Sequence, residues 1–192
     1  MNEYISYIPR RDGKAHIILP LSMFTVGFSA MIASSRFVNA RAILQLLCLC
    51  FIVIGVQLTT RYALCFYKYS IIISDSGNAS LMITRLQGQN KQTVCVAPAS
   101  SIAGIFNIGT PEIPGKFKKA TSFSFCVNMF PKNTVTVMLD AEKAELSAGF
   151  IGGMSKKSPA YIALKLEYDG SFMNALTSIA DTDESVNLSE SK

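Results

Sequence analysis

The chain has 192 residues, 49% hydrophobic and only 16% charged, with a formal net charge of +5. That is more apolar than an ordinary small soluble protein. Its single histidine, His16, lies at the edge of an apolar run and leaves none for a Ser-His-acid relay elsewhere in the chain, and its five cysteines, odd in number and without paired spacing, form neither a disulfide framework nor a metal-ligand set.

Residues 1–16 read as a polar N-terminal segment with Arg10, Arg11 and Lys14, ending at His16, a solvated interfacial residue. Two uncharged apolar runs follow, 17–34 (IILPLSMFTVGFSAMIAS) and 42–60 (AILQLLCLCFIVIGVQLTT). As helices they rise roughly 27–28 Å, close to a hydrocarbon core of about 30 Å. The seven residues between them, SRFVNAR, suffice only to reverse direction, so 17–60 is expected to be a transmembrane helical hairpin. A cleaved signal peptide is disfavoured because a second apolar span follows at once. A buried soluble hairpin is disfavoured because neither helix has a charged face. Ser22, Thr25, Ser29, Gln45 and Gln57 are placed to hydrogen-bond between the helices, and the pairs Ser29/Ala33 and Ala30/Ser34 to permit close packing. The spans hold no Asp, Glu, Lys, Arg or His, as an ion path would need. Basic residues flank both ends, which puts both termini on the cytoplasmic side of the cell membrane. Reduced cysteines agree with that side.

Beyond residue 60 the hydrophobic period changes to two. Strands are predicted near 62–74, 79–87, 91–97, 101–107, 121–129, 133–140 and 160–167, with turns at SDSGN, QGQN and FPKN. Val135, Val137 and Leu139, and then Ile162, Leu164 and Leu166, are expected to face a core. The stretch 108–119 is a Pro/Gly/Lys-rich loop, and 141–159 begins as a helical turn and becomes a glycine-bearing loop. Asp169 or Ser171 caps a last helix that turns Phe172, Leu176 and Ile179 inward. This domain, 61–180, carries twelve basic and seven acidic residues; the tail 181–192 is acidic, without aromatic residues, and expected to be disordered.

The run YKYSIIISDSGNASLMITRLQGQNKQTVCVAPASSIAGI resembles the opening of the bacterial pleckstrin-homology-like (PH-like) domains. Tyr69, Ile71, Leu81, Ile83, Arg85, Val94, Val96, Ile102 and Ile105 carry the likeness, as do Asp169, Phe172 and Leu176 at the end. It covers roughly residues 62–180; the segment 141–159 is longer than in the compact form of the family. The resemblance implies an α+β membrane protein: a two-helix transmembrane hairpin, then a small antiparallel seven-stranded barrel closed by a C-terminal helix.

Nothing in the sequence calls for an enzyme, a cofactor or a metal. GFIGGMSKK lacks the ending of a phosphate loop, and the basic residues are too sparse for nucleic acid. The inositol-phosphate pattern of eukaryotic PH domains is also absent. Two lysine clusters remain, Lys116, Lys118 and Lys119 around Phe117, and Lys156 and Lys157; these are the candidate contacts with an anionic surface. The leading expectation is a non-enzymatic inner-membrane protein. It binds a protein partner or itself through an exposed strand edge or the 108–119 loop. The alternatives are an anionic-lipid sensor and an accessory subunit of a transport or secretion complex.

Overall fold

A computed structural model describes residues 2–74, 77–107, 114–146 and 160–190. The chain divides into two compact units, Arg11–Cys65 and a second built from the residues up to Arg10 together with those from Phe66 onward.

In the first unit, α1 (Ala15–Ser34) and α2 (Arg41–Leu58) pack side by side. A 3₁₀ turn, Val38–Ala40, precedes α2, and a π-turn, Thr59–Ala63, continues it. Both helices are long and apolar enough to cross a membrane, at 20 residues for Ala15–Ser34 and 23 for Arg41–Ala63. Glycine sets their contact. A Cβ on Gly27 would lie 3.2 Å from Ile52, and one on Gly55 would lie 3.1 Å from the Phe24 ring. The four-residue pairs of small residues expected to do this do so only in part: Ser34 is buried, but Ser29 is exposed. The hydroxyls also behave differently from expectation. Ser22, Thr25 and Ser29 donate to the carbonyls of Leu19, Ser22 and Thr25 on their own helix, each at 2.8 Å. The base of the unit is tied by Arg11, whose Nη2 donates to the Cys65 carbonyl at 3.1 Å.

Among the described residues, the second unit has one strand ahead of the helices and eight after them. β1 (Asn2–Tyr7), β2 (Cys65–Ile73), β3 (Ala79–Gln87), β4 (Asn90–Pro98) and the short β8 (Glu145–Leu146) form one sheet in the order β1-β2-β3-β4-β8. β5 (Ile102–Asn107), β6 (Thr121–Ser124), β7 (Thr134–Asp140) and β9 (Tyr161–Glu167) form the other, in the order β5-β7-β9-β6. The turn at Gly77 uses φ +83° and that at Gly88 φ +58°, which glycine adopts without steric cost. Buried side chains alternate along the strands into one core. It contains Tyr69, Ile71, Leu81 and Ile83 from the first sheet and Val135, Val137, Leu139, Ile162, Leu164 and Leu166 from the second. A last helix, α3 (Gly170–Glu190), is capped by Asp169, whose carboxylate accepts from the Phe172 N–H at 2.8 Å, and it buries Phe172 and Leu176 in that core.

The α+β class with two apolar helices near the N-terminus stands; the closed barrel of seven antiparallel strands does not appear. Among the described residues the ladders form two sheets without closing, and β6 runs parallel to β9. The strand expected over 121–129 stops at Ser124: beyond it the backbone leaves the ladder, the Phe125 carbonyl accepting from the Tyr69 hydroxyl and the Asn128 N–H donating to the Glu167 carboxylate. Residues 2–7, read as part of a polar segment, form β1 and pair antiparallel with β2, Tyr7 opposite Tyr69. The backbone of α3 runs to Glu190, past the expected end at 180; no Gly or Pro interrupts it.

Candidate functional site

Small side chains leave a groove at one end of the second unit. Around it Gly77, Ala79, Ala99, Ser100, Ala175 and Ser178 carry too little volume for α3 to close onto the β2–β3 turn and the 3₁₀ turn Ala99–Ser101. The resulting cavity is about 650 Å³ and opens to solvent. Tyr4, Ile73, Pro98 and Ile179 supply its larger apolar walls, Asn78 its amide, and none of the described lining residues is charged. Tyr4, 63% exposed, stands on β1, the edge strand of its sheet. A groove whose described lining is uncharged, beside the edge strand of the described sheet, suits an uncharged, extended segment better than an ionic substrate.

A buried polar cluster lies at the other end of β1. Both oxygens of Glu167, at the end of β9, accept from Asn128: Oε1 from its backbone N–H and Oε2 from its side-chain amide, each at 2.6 Å. The same amide donates to the Arg10 carbonyl at 2.9 Å. Nearby, the Tyr69 hydroxyl donates to the Phe125 carbonyl at 2.8 Å. Burial, with a smaller contribution from Cys126, pushes the Tyr69 phenol well above its ordinary range, so it stays a neutral donor. Burial also pushes the Cys95 thiol up to about 12, leaving it protonated and unreactive at neutral pH. Among the described residues no group of three His, Cys, Asp or Glu side chains is arranged to hold a metal.

The lysine clusters fare differently. Phe117 is buried on the outer face of the second sheet, edge-on to Phe106 at 5.7 Å and to Tyr161 at 4.9 Å between ring centroids. It pins its loop, so Lys116, Lys118 and Lys119 are brought together and exposed, with the Lys116 ammonium 4.8 Å from the Phe117 ring centroid. They sit by Tyr161, at the start of β9, whereas the Arg10–Asn128–Glu167 cluster is at its end, roughly 20 Å along a seven-residue strand. Lys156 and Lys157 lie outside the described residues.

Sequence reasoning missed the groove and the Asn128–Glu167 pair. The alternation of Ile5 and Tyr7 in NEYISY was the one signal for β1; Asn128 and Glu167 are 39 residues apart and carry none. Compared with protein-family models, curated proteins and solved structures, the chain finds no match.

Proposed function

We propose that the chain is a non-enzymatic, membrane-anchored interaction protein of a bacterial cell membrane. In this reading the Ala15–Ala63 hairpin is the anchor, both termini are cytoplasmic, and the sheet-and-helix unit is a PH-like module. Its groove and β1 edge take an extended apolar segment of a protein partner or of a second copy. The residues that carry the PH-like likeness support it: Tyr69, Ile71, Leu81, Ile83 and Val94 are buried in the core, and Asp169, Phe172 and Leu176 end the domain as the family pattern has them.

The observation that carries the binding reading is the groove itself. It joins about 650 Å³ of space, uncharged among the described lining residues, to a strand edge and a tyrosine left 63% exposed. A pocket of that size is ample for two or three side chains, and an edge strand supplies main-chain hydrogen bonds that need no sequence in the partner.

The test is a photo-crosslinking amino acid at Tyr4 in the full-length protein in its native membranes, with Lys143, exposed and away from the groove, as control position. A discrete adduct at Tyr4 that disappears when Ser100→Trp fills the groove is expected. Equal labelling from Lys143 rejects the reading. Replacing Lys116, Lys118 and Lys119 by Gln should leave the adduct intact; its loss would favour the anionic-lipid alternative.

A further inference from the structure

Among the described residues of the sheet-and-helix unit, the most exposed large hydrophobic side chain is Phe130, at 73%. It is not part of a frayed segment. The four residues from Phe125 to Asn128 are buried, and the backbone there is fixed at three points. The Phe125 N–H donates to the Lys165 carbonyl at 2.9 Å, the Phe125 carbonyl accepts from Tyr69, and the Asn128 N–H donates to Glu167. Pro131 follows and stiffens the tip. A well-founded turn thus holds a phenyl ring out in solvent, and the weight of that observation rests on where the turn is placed.

The Asn128 amide donates to the Arg10 carbonyl, so the turn is held beside Pro9–Arg10. Arg10 lies five residues before Ala15, the first residue of α1. At no more than about 3.6 Å per residue the chain keeps Arg10 within roughly 18 Å of that helix start. If α1 crosses a bilayer, Ala15 is at or near the headgroup boundary, and the Phe130 turn lies within reach of that boundary whatever angle the two units adopt. The flanks match such a surface: Lys132, two residues on from Phe130, and Arg10, whose backbone is held by Asn128, are both exposed. Membrane interfaces favour this combination, because the ring enters the apolar boundary while the cationic heads stay among the phosphates.

We propose that the 128–132 turn is a second membrane contact, inserting Phe130 at the headgroup boundary and thereby fixing the orientation of the module over the bilayer. The inference rests on the membrane reading of the hairpin, and the experiment separates the two.

The chain has no tryptophan, so Phe130→Trp, Tyr4→Trp and Phe28→Trp each give a full-length protein with a single reporter. Tyr4 serves as the control because it is similarly exposed but six residues from Arg10, towards the far end of β1; Phe28 is an exposed position deep in α1. Each variant is reconstituted into phosphatidylcholine–phosphatidylglycerol vesicles containing lipids brominated either near the carbonyl or near the methyl end of the acyl chain. The expected result for Phe130→Trp is a blue-shifted emission and a loss of intensity with the shallow bromines exceeding that with the deep ones, while Tyr4→Trp is quenched by neither, whatever a second copy in the groove does to its emission. Phe28→Trp should be quenched most by the deep bromines. Quenching at Phe28 with Phe130 behaving like Tyr4 overturns this proposal alone. A blue shift at Phe130 without bromine quenching also overturns it, since the ring is then buried by protein. No quenching at Phe28 removes the membrane reading and this proposal with it.

Discussion

Asn128 commits its backbone N–H and its side-chain amide to one buried carboxylate, and that amide also reaches the Arg10 carbonyl. Asn128→Ala would keep the backbone N–H to Glu167 but remove the side-chain amide, leaving one oxygen of the buried carboxylate, and the Arg10 carbonyl, without that donor. The cost should therefore resemble losing one hydrogen bond to a buried charged group, about 1.5–3 kcal/mol. Replacing both residues with leucine should cost less than the sum of the single changes, and denaturant unfolding of the four proteins of that cycle measures it. Thr134 is the opposite case: its hydroxyl is buried with no hydrogen-bond partner among the described residues. Thr134→Val should be neutral or stabilising, by up to about 2 kcal/mol in the same measurement. Two further residues set a pH dependence. Cys95 titrates near 9 when unperturbed and at about 12 in the fold, so the folded state holds the proton that the unfolded chain releases. Stability from this group is complete below pH 9 and declines from there to pH 12. Tyr69, raised from its ordinary 10, adds a decline that begins above pH 10. Melting temperature against pH should fall on the alkaline side, and Cys95→Ala should flatten the portion that starts near pH 9.

At the scale of elements, α3 holds its place by what it buries rather than by its own propensity. Phe172 and Leu176 are fully buried, and Phe172 packs with Tyr7 and Tyr69 at ring-centroid separations of 5.8 and 5.7 Å. Leu176→Ala should destabilise the module by about 2–5 kcal/mol, read by thermal or denaturant unfolding; a change near zero would mean that the helix does not cap the core. This helix, its Asp169 cap and strands β3, β4, β5, β7 and β9 were legible because each declares itself locally, by a period of two or 3.6 and a turn at its end. The failures share a physical cause. β1 pairs with β2 across 57 intervening residues, from Tyr7 to Cys65, and no local pattern encodes a partner at that distance. The 125–128 stretch continues β6 in sequence but sends its backbone bonds to the Tyr69 and Glu167 side chains, and no local pattern marks that change at Ser124. The parallel β6–β9 pairing is a choice of topology, invisible to periodicity. The groove was illegible for a related reason: Ala99, Ser100, Ala175 and Ser178 are unremarkable singly, and only the fold makes their small volumes coincide.

At the scale of the whole molecule, the pairing of β1 with β2 constrains how the chain can thread a membrane. β1 precedes the apolar helices and β2 follows them, yet the two are adjacent strands of one sheet, with Asn2 opposite Ile73 and Tyr7 opposite Tyr69. A sheet cannot form through a bilayer, because its backbone groups would be left unsatisfied in hydrocarbon. If the helices cross, they must cross an even number of times, and two crossings by α1 and α2 meet that condition. A single crossing, with one helix lying flat or cleaved away, would leave β1 and the rest of its sheet on opposite faces or on separate chains. The expected outcome is that tags placed before Asn2 and after Lys192 are both protected from protease in intact spheroplasts and both digested once the membrane is opened. A proline at Ile5, which removes a backbone donor from β1 and restricts its conformation, should weaken β1 without altering the helices. It should then destabilise the module while leaving the protection pattern of the C-terminal tag unchanged. Opposite protection of the two tags in the unmodified sequence would be incompatible with the β1–β2 ladder, and with any function in which the module is gathered from both sides of the hairpin.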